Sequence, residues 1–455
     1  MKIIRFGGFL LGSALLVIPA AVAAEKPEAI AWKAGAAAVD ITPEGPVWMA
    51  GYGNRNKPSE GVAQRLYAKA LAIEDTAGAR MVFVTLDLIG VPRPVREAVE
   101  RQSGERHGLR PESILLNASH THSGPSPYGR GVGDAAFVAK ADAYGRALEG
   151  KIVQVIGDAL SHSEPAVMHY TRARAGFAMN RRLPVGTEIR NSPNPDGPVD
   201  HDVPVLRVTG RDGNLKAILF GYACHNTVTG FYTINGDYAG YAQAYLQEAR
   251  PGVVALFMMG AGGDQNPYPR HVSLEQSAQH GRTLANAVEA ALSVVTQRPV
   301  LGPLRSAYGY AELDFADTGR ADLERRARSR NTAERTRAEE LLKKLDAGEP
   351  LPKSYPCPVQ VVHFGTDLTL AAIGGETTVD YSLRLKRELG TGRAAVWVAG
   401  YSNDGFGYLG SRRVIIEGGY EGYSANLARH PGPWATTTED RVIEKFYELS
   451  RSINH

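Results

Sequence analysis

The sequence predicts an α/β fold with a mixed β-sheet at its centre and helices packed on that sheet. Short apolar segments rich in β-branched and aromatic residues alternate along the chain with longer segments of helical periodicity. Such alternation is typical of α/β proteins. The chain has 455 residues, of which 43% are hydrophobic, and this is enough for one large core. No internal repeat is evident, so we expect a single large domain over residues 25–455.

The strand and helix segments are assigned as follows. Strands are predicted over residues 66–73, 81–86, 113–117, 203–208, 217–223, 253–258, 359–363, 368–373 and 394–398. Helices are predicted over residues 139–160, 239–249, 274–294 and 379–388. A further helix over residues 319–345 carries many interleaved charges, which indicates a solvated surface helix and not a binding arm.

Residues 1–24 have the pattern of a secretory signal peptide. Lys2 and Arg5 form a basic start, an apolar stretch follows, and small residues around Ala23 offer a cleavage site. The apolar stretch is shorter than the roughly 20 residues that a membrane span needs, which favours cleavage over a retained anchor. We therefore expect a secreted or periplasmic protein. Removing Lys2 and Arg5 lowers the formal charge from +3 to +1, which gives no reason to expect a nucleic-acid partner.

The two cysteines, Cys224 and Cys357, are too few for a disulfide scaffold. They could pair in an oxidising compartment, or both could be small buried hydrophobic residues. The position of Cys224 in an apolar run, beside a histidine, favours the second interpretation.

Polar residues suited to metal binding or catalysis follow four of the predicted strands. Two of them form a His-x-His pair, whose side chains project to the same side of an extended segment. Each residue also has an ordinary structural interpretation: a hydrogen-bonded core histidine, a helix-capping carboxylate or a packing tyrosine. The residues concerned are His120, His122, His225, Glu376, Tyr401 and Tyr408.

If the four strands lie side by side, these side chains converge above the carboxyl edge of one sheet, where α/β proteins tend to place ligands. Two histidines, a glutamate and one further oxygen donor suit a zinc ion that keeps an open position for water. The combination therefore favours a zinc site more strongly than any single motif does.

The order and spacing of these motifs resemble the neutral/alkaline ceramidase family, in its N-terminal catalytic domain. The resemblance covers nearly all of the chain after residue 24. Its segments are AAVDITP (37–43), MAGYGN (49–54), GVAQRLYAKA (61–70), SHTHSGP (119–125), Asn180-Arg181, ACH (223–225), NGDYAGY (235–241), GET (375–377), Ser402-Asn403 and YEG (420–422). It implies a hydrolase of sphingolipid metabolism that cleaves a linear amide.

The resemblance also implies a ligand set for Zn²⁺, made of His120, His225, Glu376 and Tyr408. Tyr408 is preferred to Tyr401 because it stands five residues after Asn403, as the family's tyrosine stands after its asparagine.

The implied mechanism is attack of a metal-activated water on the amide carbonyl. His122 and Arg181 correspond to residues beside the scissile bond. We expect His122 to pass a proton to the leaving amine, Tyr408 to donate to the oxyanion, and Arg181 to hold a polar part of the substrate. Without the resemblance, a surface salt bridge would be the preferred interpretation of Arg181.

The sequence departs from the family pattern in two ways. Asn266 stands where the family has a serine with an assigned catalytic role. An asparagine amide cannot act as a serine-type nucleophile, but it can hydrogen-bond a substrate, so we expect Asn266 to bind substrate. The chain also ends soon after the last catalytic segment, so a domain without the family's C-terminal β-sandwich is expected.

Ceramide or a related N-acylated compound is the expected substrate. The alternatives are a zinc hydrolase of the same fold that acts on a glycan- or peptide-derived amide or ester, and a non-catalytic binding protein. Retention of His120, His122, Glu376 and Arg181 argues against the binding protein. The expected partners are a small-molecule or lipid substrate and, transiently, a membrane surface, with no nucleic acid and no obligate protein partner.

Overall fold

The computed structural model describes residues 31–128, 135–316, 319–390 and 394–454. The predicted signal peptide, residues 1–24, lies outside this part of the chain. The strands are β1 (Trp32–Asp40), β2 (Gly61–Val62), β3 (Tyr67–Asp75), β4 (Arg80–Leu86), β5 (Ile114–Ala118), β6 (Glu164–Arg174), β7 (Ala178–Val185), β8 (Glu188–Asn194), β9 (Asp202–Gly210), β10 (Leu215–Tyr222), β11 (Thr233–Ile234), β12 (Val254–Met259), β13 (Gln265–Pro267), β14 (Arg298–Pro299), β15 (Leu304–Asp314), β16 (Ser354–Phe364), β17 (Leu368–Ile373), β18 (Glu376–Thr377), β19 (Ala395–Ala399) and β20 (Tyr408–Leu409).

The helices alternate with these strands along most of the chain. They are α1 (Arg93–His107), α2 (Ala135–Ser161), α3 (Asp237–Ala249), α4 (Leu274–Leu292), α5 (Arg320–Arg326), α6 (Thr332–Asp346), α7 (Val379–Leu389), α8 (Arg412–Glu417), α9 (Ala425–Leu427) and α10 (Thr438–Ser452). None of the helices in the described part of the chain has both the length and the apolar character needed to cross a membrane.

A large mixed sheet forms the centre of the protein, as predicted. Its strand order is β12-β10-β9-β6-β1-β3-β4-β5, with β14 paired to β6. The pairs β4–β5 and β10–β12 are parallel, and the other pairs along this order are antiparallel. The prediction of a mixed sheet flanked by helices is therefore confirmed.

A second sheet, with the order β15-β16-β17-β19, packs face to face against the first. Phe83 of β4 stacks on Phe364 of β16, with ring centroids 6.4 Å apart, in the apolar layer between the two sheets. Helices α1 to α4 cover the outer face of the large sheet, and α7 and α10 cover the outer face of the smaller one. The structure thus adds a second sheet to the predicted mixed sheet, and the four layers bury both faces of both sheets.

Strand β4 shows how the sequence produces this layering. Met81 and Phe83 point into the layer between the sheets, whereas Val82 and Val84 point towards α1 and α2. A strand buried on both faces has a continuous apolar sequence, and β4 (RMVFVTL) has one.

The predicted charged helix over residues 319–345 is two helices, α5 and α6. The side chain of Asn331 accepts hydrogen bonds from the backbone N–H groups of Ala333 and Glu334, which starts a new helix at that point. The segment is also less solvated than expected. Arg326 is fully buried and donates hydrogen bonds to the carbonyl oxygens of Leu427 and Pro431.

Cys224 and Cys357 are both free and buried, as the apolar run around Cys224 indicated. Burial raises the pKa of each thiol. Both side chains therefore remain neutral and act as small core residues.

Candidate active site

The carboxyl ends of four strands meet at one side of the molecule, two from each sheet. His120 follows β5 and His225 follows β10 in the large sheet. Glu376 follows β17 in the smaller sheet, and Tyr401 and Tyr408 follow β19. The predicted convergence is thus present, but it spans the junction of two sheets and not the edge of one.

The two predicted histidine ligands are held in the same manner. His120 has a left-handed backbone (φ 64°), and its Nδ1 lies 2.6 Å from the carbonyl oxygen of Ile89. Nδ1 of His225 lies 2.7 Å from the carbonyl oxygen of Gly262. A carbonyl oxygen can only accept, so each Nδ1 carries the proton and each Nε2 keeps its lone pair. Burial, reinforced by the charge of Arg181, lowers the pKa of His225 to about 3, which keeps this imidazole neutral.

The remaining predicted ligands surround the two free nitrogen atoms. Oε2 of Glu376 lies 3.2 Å from Nε2 of His120 and 3.5 Å from Nε2 of His225. The hydroxyl of Tyr408 lies 3.4 Å from Nε2 of His225. A tetrahedral zinc site with bonds of about 2.0–2.1 Å has ligand-to-ligand distances of about 3.3–3.4 Å. The donor spacing therefore fits a zinc ion.

The chemistry of the cluster points the same way. Oε2 of Glu376 is buried and has no hydrogen-bond partner within the described residues. It faces the lone pairs of two imidazoles at 3.2 and 3.5 Å, so three acceptor atoms converge on one point. Such an arrangement is unfavourable unless a cation lies between the acceptors. The residues present thus fit a divalent metal.

His122 lies beside the predicted ligands. Its Nε2 is 3.0 Å from Nε2 of His120, and the three imidazoles of His120, His122 and His225 each offer a nitrogen within 4.8 Å of the others. Burial lowers the pKa of His122 well below its usual value, and the two neighbouring histidines add to this effect. The structure brings His122 to the site as predicted, and its assignment to proton transfer rather than metal binding stays a prediction.

Arg181 is buried beneath the cluster. Its guanidinium donates to Oε1 of Glu421 at 2.7 Å, to Oδ1 of Asn266 at 3.2 Å, to the carbonyl oxygen of Gly263 at 2.9 Å and to the hydroxyl of Tyr408 at 2.8 Å. The alternative of a surface salt bridge is wrong, because both Arg181 and Glu421 are almost completely buried.

Asn266 contacts Arg181, is completely buried and does not line the pocket that opens onto the cluster. Its Oδ1 accepts from Arg181 and, at 3.5 Å, from the hydroxyl of Thr227. These two donors orient the amide, and its Nδ2 is left without a hydrogen-bond partner in the described part of the chain. The assignment of Asn266 to substrate binding stays a prediction.

A pocket of about 360 Å³ opens onto the cluster. His120, His122, Glu376 and Tyr408 form part of its polar floor. The walls are largely apolar and aromatic, with Trp48, Met49, Ile89, Val91, Phe137 and Tyr420. An apolar pocket with a few convergent polar groups is the usual form of a small-molecule site.

Three residues of the site were not assigned a role from the sequence. Tyr401 packs on His120 with ring centroids 4.5 Å apart, and Tyr52 packs on His122 at 4.8 Å. Glu421 pairs with both Arg181 and Arg182. Tyr52 and Glu421 lie in segments that carry the family resemblance, MAGYGN (49–54) and YEG (420–422), and this was the available signal for them. Tyr401 lies outside those segments, and the signal for it was its position shortly after a predicted strand.

The fold and the site together define a four-layer α/β protein with a histidine-rich candidate metal centre at the base of an apolar pocket. Residues 32–280, more than half of the chain, match the family model described as "Neutral/alkaline non-lysosomal ceramidase, N-terminal". The chain belongs to this family.

Curated relatives are similar to parts of the chain. It is 26% identical over 329 residues to the neutral ceramidase of Pseudomonas aeruginosa, covering 68% of this chain and 48% of that one. It is 28% identical over 264 residues to neutral ceramidase A of Dictyostelium discoideum, covering 52% of this chain and 36% of the relative. The aligned part thus spans between a third and a half of these relatives.

Solved structures confirm the fold. The crystal structure of neutral ceramidase from Pseudomonas aeruginosa matches with a TM-score of 0.72 at 20% identity, covering 93% of this chain and 74% of that one. A structure described as a ceramidase complexed with C2 matches with a TM-score of 0.71 at 19% identity, covering 93% and 75%.

Proposed function

We propose that this protein is a zinc-dependent amidohydrolase that cleaves ceramide or a related N-acylated lipid. The observation that carries the proposal is the cluster of His120, His225, Glu376 and Tyr408, of which all but the fully buried His225 line the floor of a pocket with apolar and aromatic walls. The activity named for the relatives, neutral ceramidase, is consistent with it. We further propose that residues 1–24 are a cleaved signal peptide and that residues 25–455 form the catalytic unit of a secreted or periplasmic enzyme.

His120, His225, Glu376 and Tyr408 would hold the zinc ion. When bound, zinc lowers the pKa of a coordinated water to about 7 and polarises a carbonyl oxygen. The two histidines contribute Nε2 lone pairs because their Nδ1 protons are engaged by the carbonyl oxygens of Ile89 and Gly262. These backbone contacts fix the ring orientations before metal or substrate arrives.

His122 is proposed to move the proton. Burial keeps its imidazole neutral at rest, so it can accept a proton from the attacking water and return it to the leaving amine. Gly51 supports this ring from behind. Its φ is 100°, and a Cβ at Gly51 would lie 2.5 Å from Cγ of His122, so only glycine lets the loop approach so closely.

Arg181 is proposed to act through Tyr408. Its hydrogen bonds go to protein groups, so it orients the Tyr408 hydroxyl and does not hold a polar part of the substrate directly. Burial raises the pKa of Tyr408 well above its ordinary value, and the positive charge of Arg181 opposes this rise. The positive guanidinium of Arg181 thus stabilises negative charge on the phenolic oxygen of Tyr408, the atom proposed to bind the metal.

The apolar pocket walls favour a lipid over a sugar. Trp48 packs edge-on against Phe137 with ring centroids 6.2 Å apart, and Met49 and Val91 add aliphatic surface. Apolar surface of this kind binds an acyl chain through the hydrophobic effect. An N-acyl lipid therefore satisfies the pocket better than the glycan- or peptide-derived alternatives.

We also propose that the rim of the pocket touches a membrane surface transiently. Phe231 and Val272 expose 41% and 58% of their surface. Arg55, which lines the pocket, donates to the carbonyl oxygen of Phe231 and to other backbone carbonyls, and its charge has no carboxylate partner in the described residues. Apolar side chains beside an unpaired cation suit an anionic lipid headgroup region.

The test is hydrolysis by purified protein, before and after metal removal, over N-acyl sphingosines, N-acyl amino acids and N-acetylated sugars. We expect cleavage of the N-acyl sphingosines, loss of activity with a chelator, and recovery with Zn²⁺. Faster cleavage of the N-acetylated sugars or N-acyl amino acids would show that the substrate is a non-lipid amide. Zinc binding without hydrolysis of any substrate would favour a binding protein.

A further inference from the structure

Tyr401 combines three features at the floor of the pocket. It is the residue after β19 and Gly400, its backbone is left-handed (φ 51°), and its ring lies 4.5 Å from that of His120. The side chain is 97% buried and lines the pocket. Its hydroxyl has no hydrogen-bond partner in the part of the chain that the structure describes.

The backbone of Tyr401 is fixed from both sheets. Its N–H donates to the carbonyl oxygen of Gly375 at 2.9 Å, and its carbonyl oxygen accepts from the N–H of Ala118 at 3.2 Å. Ala118 ends β5 of the large sheet and Gly375 follows β17 of the smaller one. A bulky residue at positive φ persists only where its surroundings over-determine it, and such residues concentrate at functional sites.

A purely structural tyrosine would have a different environment. Tyr381 is also completely buried, but its hydroxyl donates to the carbonyl oxygen of Gly410 at 3.2 Å. Buried hydroxyls are normally bonded in this way. Tyr401 instead combines a left-handed backbone, a ring packed on His120 and a buried hydroxyl without a partner in the described residues, and the substrate is the candidate for that partner.

We propose that the Tyr401 hydroxyl donates a hydrogen bond to the carbonyl oxygen of the scissile amide. This inference rests on the proposed function. The donor is unpaired at rest and its backbone is held by both sheets, so the bond would strengthen as negative charge develops on that oxygen without the loss of another hydrogen bond. Tyr408 is not available for this role, because its hydroxyl accepts from Arg181 and faces His225. The two tyrosines thus have different roles: Tyr408 would bind the metal, and Tyr401 would donate a hydrogen bond to the substrate.

The test is the Tyr401→Phe variant, which removes the hydroxyl alone. We expect kcat to fall roughly 10²–10³-fold, the scale seen when one oxyanion donor is removed, with KM little changed. Zinc content should match the wild type, and the melting temperature should be equal or higher because no hydrogen bond is lost. The matched control is Tyr381→Phe, which should lower the melting temperature and leave kcat unchanged.

A second measurement compares an N-acyl sphingosine with its thioamide, whose sulfur is a poor acceptor. The wild type should prefer the oxygen compound, and Tyr401→Phe should lose most of that preference. If the wild type is active and Tyr401→Phe keeps both the wild-type kcat and the wild-type preference for the oxygen amide over the thioamide, this inference is overturned. The proposed function is unaffected by that result. Loss of zinc in the variant would also overturn it, since Tyr401 would then be a ligand. A wild type inactive on every N-acyl substrate would instead overturn the proposed function.

Discussion

Arg181 holds Tyr408 and Glu421 at the same time, at 2.8 Å and 2.7 Å, so one buried guanidinium connects the candidate metal centre to a buried carboxylate. Arg182 donates to the other carboxylate oxygen of Glu421 at 2.7 Å, but among the described residues it makes no hydrogen bond to Tyr408. A comparison of Arg181 with Arg182 can therefore distinguish two effects of a buried arginine, which are support of the fold and orientation of the site.

The substitution Arg181→Lys should lower kcat about 10- to 100-fold, because lysine keeps the charge but cannot reach Tyr408 and Glu421 with one planar fork. Arg182→Lys is the matched control and should cost similar stability while leaving kcat close to wild type. Thermal unfolding measures the stability of both variants, and steady-state kinetics measures their kcat. Equal losses of kcat in the two would show that Arg181 only supports the fold.

His120→Ala and His225→Ala should each lose metal and activity together. Each removes an Nε2 lone pair from the proposed ligand set of four. Elemental analysis of the purified variants measures the zinc directly. His363→Gln, at a buried histidine that contacts Ser450 outside the pocket, is the control and should keep both zinc and activity. Full zinc occupancy in both alanine variants would refute the ligand assignment.

His122→Ala should keep zinc and lower kcat by roughly 10²-fold or more, the usual scale for a lost proton donor. The spacing of 3.0 Å between Nε2 of His122 and Nε2 of His120 makes this a sharp test, since His122 is close enough to bind the metal itself. Zinc lost along with activity would make His122 a ligand.

The strands that position the site could be predicted from the sequence, and β4 and β17 show why. Both are buried on two faces, so their apolar runs are continuous and their ends are marked by the first polar residues. His225 and Glu376 stand at such ends, which is why their convergence could be anticipated.

Strand β1 was missed for a physical reason. It lies in the middle of the large sheet, but its sequence, WKAGAAAVD, is dominated by small residues with weak strand preference. A Cβ at Gly35 would collide with the carbonyl oxygen of Ala159, so α2 packs directly on the backbone of β1. Close packing of a helix thus selects residues that local patterns do not associate with a strand.

The second sheet could not be predicted either. Strands β16 and β17 have the same apolar character as strands of the large sheet, and pairing is a long-range property that local sequence does not contain. The unbonded hydroxyl of Tyr401 depends on this arrangement, because Gly375 and Ala118 belong to different sheets.

The double variant Phe231→Ser/Val272→Ser should reduce binding to vesicles that contain phosphatidylglycerol, with little change on a soluble short-chain substrate. Both side chains are exposed; Phe231 is linked to the pocket residue Arg55 through its carbonyl oxygen, and Val272 follows His271, whose ring packs on Tyr52 of the pocket. On the proposed function they would contribute apolar surface to the bilayer interface. Vesicle co-sedimentation measures the change, and Val295→Ser, at a 99% exposed residue after α4, is the control. Equal binding by wild type and double variant would eliminate this surface as the membrane contact.

The last prediction concerns Asn266, which replaces the serine expected from the family. Its amide cannot act as a nucleophile, so turnover should proceed without a covalent acyl-enzyme. Asn266→Ala removes an acceptor for Arg181 and the unpaired Nδ2 donor, and should slow the enzyme by about 2.7–4 kcal/mol in barrier if that donor serves the oxyanion or the substrate. Asn266→Ser should raise activity on ceramide. Mass spectrometry of enzyme quenched during turnover is the deciding measurement. An acyl adduct trapped on any serine, threonine or cysteine would show that a side chain and not a water attacks the amide.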